Sequence, residues 1–237
     1  MQVGRGSVPL AAQAERLGAE GSAVGALGRR RPALLILSAY TALGAGAAAV
    51  SAALGQDPLS MIGWGPSPNR SMPGWLGIGG PMAAALVSAG AGVCVGAVTV
   101  ASTRVLVRRA PWARALHEAL RPAVKGAADG WLFALAAASA VGEELLFRGL
   151  LVPMLGVVLP SLAFGVLHQV RGPARWGWMA WATLMGLLFA VLYAATGSLV
   201  GPIVAHLMIN GANLRYLRDA EPGAPRRKKL GGLLKRT

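Results

Sequence analysis

The stretch WLFALAAASAVGEELLFRGLLVPMLG, residues 131–156, sets two adjacent carboxylates and an arginine into a run that is otherwise apolar. It exceeds the roughly 20 residues a helix needs to cross a bilayer. In lipid every backbone group must be satisfied within the protein, so such a run is read as a helix. Ionisable groups at that depth are costly and face a cavity or one another. The stretch therefore decides two matters together: the chain is an all-α membrane protein, and chemistry is to be sought on this helix.

The same pattern extends outward. Apolar runs cover Ala33–Leu54, Met82–Ser102, Trp131–Met154, Val158–Val170, Trp176–Thr196 and Ser198–Tyr216. They predict about six transmembrane helices, an N-terminal pair within 31–102 and a C-terminal four-helix block at 131–216, with turns at Gly156 and Gly197. Bulk composition agrees: 54% hydrophobic and only 14% charged residues, with a mean hydropathy of +0.53, is too apolar for a soluble domain. The 33 glycines suit helices packed through small residues. A single cysteine, Cys94, excludes an intrachain disulfide or a cysteine metal site and is expected to pack inside.

Twenty-three Lys and Arg against nine Asp and Glu give a net charge of +14. They concentrate at Arg29–Arg31, Arg104–Lys125 and Arg215–Arg236, each just outside an apolar run. Under the positive-inside bias these segments, and Arg171 and Arg175, lie in the cytoplasm with both termini, and the Ala/Gly/Arg-rich composition suits a bacterial inner membrane. No aromatic-interleaved basic patch or nucleic-acid motif accompanies the charge, so nucleic acid is not expected as a partner. Residues 1–30 read as a disordered leader, because Arg5, Glu15, Arg16 and Glu20 interrupt any signal-peptide core. Residues 103–130 read as a basic cytoplasmic linker holding an amphipathic helix, with Trp112, Ala115, Leu116 and Leu120 on one face. The tail 217–237 is basic enough to meet anionic headgroups. The loop Gln56–Pro81, with Trp64 and Trp75, is placed outside, His117 is expected to face solvent, and Tyr193 with Trp176, Trp178 and Trp181 is expected to anchor the interface.

Spacing sorts the polar residues at depth. Glu144 and Arg148 are four apart and share a helical face, so they can pair. Glu143 points about 100° away and lacks that partner. Reflection about the Gly156 turn brings Glu143 and His168 to similar depth, and Phe164, four residues before His168, places an aromatic wall beside it. On the last helix His206, Asn210 and Asn213 form a polar stripe. Each element also has a structural reading: a helix-locking pair for Glu144 and Arg148, a core histidine for His168, interhelical hydrogen bonds for Asn210 and Asn213.

In order along the chain, GEELLFRGLL at Gly142–Leu151, FGVLH at Phe164–His168 and HLMIN at His206–Asn210 resemble the EExxxR, FxxxH and HxxxN motifs of the CPBP family. This is the group of CAAX-prenyl-protease and bacteriocin-processing intramembrane peptidases also called Abi. The resemblance covers roughly Trp131–Leu214 and none of the first 130 residues. It implies Glu143 as general base for a water, His168 hydrogen-bonded to the same water, and His206 and Asn210 as donors to the oxyanion. Glu144, Arg148 and Phe164 would hold the geometry or orient substrate. No cofactor is needed in that scheme, and the lack of HExxH favours it; the alternative is a Zn²⁺ or other divalent metal shell of Glu143, His168 and His206.

The implied reaction is hydrolysis of a peptide bond near the C-terminus of a membrane-associated protein or peptide. The expected topology puts both hairpin turns outside and a mid-depth pocket opening toward the exterior, which would suit sorting signals or exported peptides. Two other classes fit the same residues: a proton- or ion-coupled transporter, against which stands the lack of paired broken helices in related halves, and a non-catalytic scaffold or immunity factor.

Overall fold

A computed structural model describes residues 34–57 and 74–222. The expected leader, Trp64 and the tail beyond 222 lie outside the described residues. Seven helices are formed among the described residues: α1 Leu34–Ala53, α2 Pro81–Arg109, α3 Pro111–Val124, α4 Asp129–Leu155, α5 Val158–Leu167, α6 Arg175–Thr196 and α7 Val200–Asp219. No strand occurs among the described residues. The fold is all-α, as the hydropathy requires.

Four of these helices, α1, α2, α4 and α6, are long and apolar enough to cross a membrane, against the six spans expected. The other two differ for separate reasons. α5 has only 10 residues, about 15 Å at 1.5 Å per residue, or half a hydrocarbon core. It begins after the Gly156 turn and stops at Leu167, because His168 leaves helical geometry at ψ 53°. α7 has 20 residues, but His206, Asn210, Asn213, Arg215 and Arg218 make it too polar to count as an apolar span. It packs instead against α2 and α4, inside the bundle.

The helices are inverted relative to those of a soluble protein. On α2 the buried face is Ala84, Ser88, Gly92, Gly96 and Thr99, while Leu86, Val87, Val93 and Val98 are exposed. Small residues inside and branched residues outward is the arrangement expected where lipid is the solvent and backbones approach closely. At the α2–α7 crossing a side chain on Gly92 would collide with the Gly201 backbone, and one on Gly201 with Ser88. Ser88 satisfies the crossing: its Oγ accepts from the Gly201 N–H at 2.9 Å and donates to the Ser198 carbonyl at 3.1 Å. Cys94, expected to pack inside, is exposed on the outward face of α2.

Both expected turns form at glycines with positive φ, Gly156 at 74° and Gly197 at 68°. Beside them Tyr193 is buried with Val152, Ala190 and Leu199, so it is core and not an interface anchor. α3 starts at Pro111 and is amphipathic as expected, but it folds back on the end of α7. His117 is therefore buried, not solvent-facing: its Nε2 lies 3.1 Å from the Ala220 carbonyl and its ring meets Tyr216 edge-on at 5.2 Å. Trp176 is exposed, as an anchor should be.

Gly92→Ala places a methyl against backbone that cannot move aside, and is expected to cost about 1–3 kcal/mol, read as a lower unfolding midpoint in detergent. Gly90→Ala, on the same helix with open space around it, serves as control and should leave the midpoint unchanged or slightly raised.

Candidate active site

The site is organised by α4. After Glu144 this helix widens into a π-helical segment, Leu145–Leu151, a distortion that recurs at functional sites. The expected pair survives the distortion: Arg148 Nη1 donates to Glu144 Oε1 at 2.9 Å, and Nη2 donates to the Gly186 carbonyl of α6 at 2.9 Å. Arg148 is 1% exposed, with its guanidinium carbon 4.6 Å from the centre of the Phe164 ring and 5.3 Å from that of Phe189. Glu144 Oε1 also takes His206 Nδ1 from α7 at 2.7 Å. One carboxylate oxygen thus joins α4 to α7, and through Arg148 to α6.

Glu143 faces a different set of groups. Its Oε2 is buried without a hydrogen-bond partner, 3.8 Å from His168 Nε2 and 3.9 Å from His206 Nε2. Depth matching across the hairpin thus brings Glu143 and His168 together, as the sequence predicts. His168 sits at the C-terminal end of α5, where its Nδ1 lies 2.7 Å from the Phe164 carbonyl. A carbonyl only accepts, so Nδ1 carries the proton and a neutral ring presents a lone pair at Nε2. Phe164 stacks on that ring at 4.2 Å, and Trp178 meets its edge at 5.8 Å. A water about 2.8 Å from both Glu143 Oε2 and His168 Nε2 would see them at roughly 85°, about 20° narrower than the angle between its own protons.

Asn210 is held by Ser139 of α4, its Nδ2 donating to Oγ at 3.0 Å. The amide nitrogen carries a second proton beyond that bond. Asn213 follows its structural reading: its Oδ1 accepts from Arg104 Nη1 at 2.7 Å, while Arg104 Nη2 donates to the Ala212 carbonyl, fastening α2 to α7.

These groups line a cavity of ≈350 Å³ whose polar end holds Ser139, Glu143, His168, His206 and Asn210. Its apolar end is walled by Leu106, Trp112, Leu116, Leu120 and Leu217, so it extends toward the basic linker helix α3. No residue of the Gly156 or Gly197 turns lines it. An opening toward the side of those turns, expected from the sequence, is not what the packing gives. Trp178 and Trp181 line the cavity and are not interface anchors.

The alternative metal shell can be tested on these distances. A tetrahedral zinc site with bonds of 2.0–2.1 Å has ligand–ligand edges of about 3.3 Å. The Glu143 to imidazole separations are wider, and no group of three His, Cys, Asp or Glu among the described residues is disposed to hold an ion.

Three contributors are absent from the motif reading. Ser139 lies four residues before Glu143, so helical spacing could have found it. The Gly186 carbonyl leaves no trace in a sequence. Tyr40 of α1 lines the cavity beside Glu143 across about 100 residues of chain, with no local signal beyond a hydroxyl inside an apolar run.

Apolar helices of bilayer length around a carboxylate–imidazole pocket define an integral membrane protein with its polar site inside the bundle. Residues 128–212 match the family described as type II CAAX prenyl endopeptidase Rce1-like, the same stretch that carries the CPBP-like motifs. A stretch of 71 residues is 37% identical to the uncharacterized protein YpbD of Bacillus subtilis (strain 168). That stretch covers 30% of this chain and 37% of YpbD. No solved structure matches the chain.

Arg148→Ala removes the cation from a buried pair and leaves the Glu144 carboxylate uncompensated. It is expected to destabilise the protein by about 3–5 kcal/mol, seen as loss of monodisperse protein in detergent or a much lower unfolding midpoint. Arg148→Lys should recover only part of this, since a lysine lacks the planar fork that reaches both acceptors.

Proposed function

We propose that the chain is an intramembrane endopeptidase that cleaves a membrane-associated protein or peptide by a water activated between Glu143 and His168. The observation that carries this reading is the unpartnered Glu143 Oε2 facing two imidazole nitrogens at one end of a cavity large enough for an extended peptide segment. The match of residues 128–212 to an endopeptidase family supports it.

In this mechanism the water donates one proton toward Glu143 Oε2 and the other toward the His168 Nε2 lone pair, which leaves an oxygen lone pair for the scissile carbonyl. Attack forms the C–O bond, and the water proton passes to Glu143, which returns it to the amine nitrogen as the C–N bond breaks. Asn210 offers an amide N–H to the developing oxyanion, and so does His206 when Nε2 carries a proton. Glu144 orients His206 through Nδ1, much as a buried carboxylate fixes the histidine of a serine hydrolase. Arg148 and Phe164 hold that arrangement. The wide spacing of Glu143, His168 and His206 supports a metal-free reaction over a zinc-dependent one.

The apolar wall toward α3 suits a hydrophobic or lipid-bearing segment entering from the basic side of the membrane. With the positive-inside bias that side is the cytoplasm, in a bacterial inner membrane, and Arg108, Arg109 and Arg114 near the start of α3 are placed to meet anionic headgroups.

Comparison of protein termini in membranes from cells carrying wild type, Glu143→Gln or an empty vector tests the reading. New termini should appear with wild type and fall at least about 100-fold with Glu143→Gln. Identical termini from wild type and Glu143→Gln, with both restoring a phenotype, would sink the peptidase reading and leave a scaffold; proton uptake into vesicles bearing the protein would point to a transporter instead. Asn210→Ala should retain folded protein and lose about 100-fold in turnover.

A further inference from the structure

The family match begins at residue 128, yet one group at the Glu143 carboxyl comes from far outside it. Tyr40 is on α1 and lines the catalytic cavity together with Ile36 and Glu143. Between a phenol and a carboxylate the phenol is the donor.

The backbone explains why Tyr40 reaches. Gly142 immediately precedes Glu143, and a Cβ built on it would lie 2.5 Å from the Tyr40 carbonyl oxygen. One turn along α1, a Cβ on Gly44 would lie 3.0 Å from the Gly142 Cα. The two helices thus cross at backbone contact through Gly44 and Gly142, beside the catalytic carboxylate. A side chain at either glycine would lift α1 away and carry the Tyr40 hydroxyl with it.

We infer that Tyr40 is a positioning residue of the active site, and that α1 is part of the catalytic unit although the recognised family block does not include it. This rests on the peptidase reading above. The hydroxyl holds the Glu143 carboxyl against rotation, which keeps Oε2, the oxygen without a partner, turned toward His168 and His206. Tyr40 exchanges no proton with substrate. Its effect is on the fraction of time the base is aimed at the water, so it belongs in kcat and not in KM.

The test uses the full chain in detergent and a synthetic peptide spanning the bond mapped by the termini comparison. Tyr40→Phe, which keeps the ring, is expected to lower kcat about tenfold or more with KM unchanged within about twofold. Tyr40→Leu should show the same loss of kcat together with a lower unfolding midpoint. The unfolding midpoints of Tyr40→Phe, Glu143→Gln and the double variant should be non-additive, because one change removes the donor of the bond and the other the charge of its acceptor. Wild-type kcat in Tyr40→Phe, a change confined to KM, or additive midpoints would overturn the assignment while leaving the peptidase reading intact. If wild type is as idle as Glu143→Gln on the peptide, the peptidase reading fails and the positioning role falls with it, whatever the midpoints report about the hydrogen bond.

Discussion

A guanidinium at membrane depth, with almost none of its surface exposed, constrains everything packed around it. Arg148 needs acceptors that lipid cannot supply, and it finds them in Glu144 of its own helix and the Gly186 carbonyl of α6. Gly186 lies where α5 crosses α6 closely, since a Cβ there would come within 3.1 Å of the Ser161 carbonyl. Glu144 then draws in His206 from α7. The desolvation cost of a buried ion pair offsets much of its Coulomb gain, so the group adds little to stability beyond an apolar replacement. What it contributes is selection: its contacts tie together the rotation and depth of α4, α6 and α7.

That selection gives two neighbouring, chemically identical carboxylates different surroundings. A helix turns about 100° per residue, so Glu144 faces the ionic group and Glu143 faces the cavity. Each imidazole is fixed through Nδ1, His168 by the Phe164 carbonyl and His206 by Glu144, which directs both Nε2 atoms at Glu143 Oε2. A cation shared with Glu143 would remove its capacity to accept a proton from water. The pairing of Arg148 with Glu144 keeps the cation on the neighbouring residue.

What could be read beforehand follows the reach of the geometry that sequence encodes. Pairs within one helix were legible, because spacing of four residues fixes a shared face: Glu144 with Arg148, Phe164 beside His168, His206 with Asn210. Glu143 and His168 were legible across helices only because a short hairpin fixes their depth. Whether His206 would turn to Glu143 or Glu144 depends on the rotation of α7, set by the Gly92–Gly201 crossing and the Ser88 hydrogen bonds, and no local pattern reports it. An apolar run is not a helix length: α5 stops at His168, and the polarity of α7 is what lets it serve the interior. The sequence neighbours of His117 and Trp178 do not report their surroundings, which come from α7 and His168.

The shape of the cavity follows from the same packing. At the end of the bundle bearing the Gly156 and Gly197 turns, Val152, Ala190, Tyr193 and Leu199 close together as core. At the opposite end α3 lies over α6 and α7, with Trp112 against Gly177, where any side chain would strike the indole. The apolar face of this amphipathic helix is therefore a wall of the cavity and not only a membrane-surface anchor. One end filled and the other roofed by a short helix leave the polar site approachable from the basic side. There the lining changes from carboxylate, imidazole and amide to leucine and tryptophan, so a segment lying along the cavity would place its polar backbone at Glu143 and its apolar part under α3.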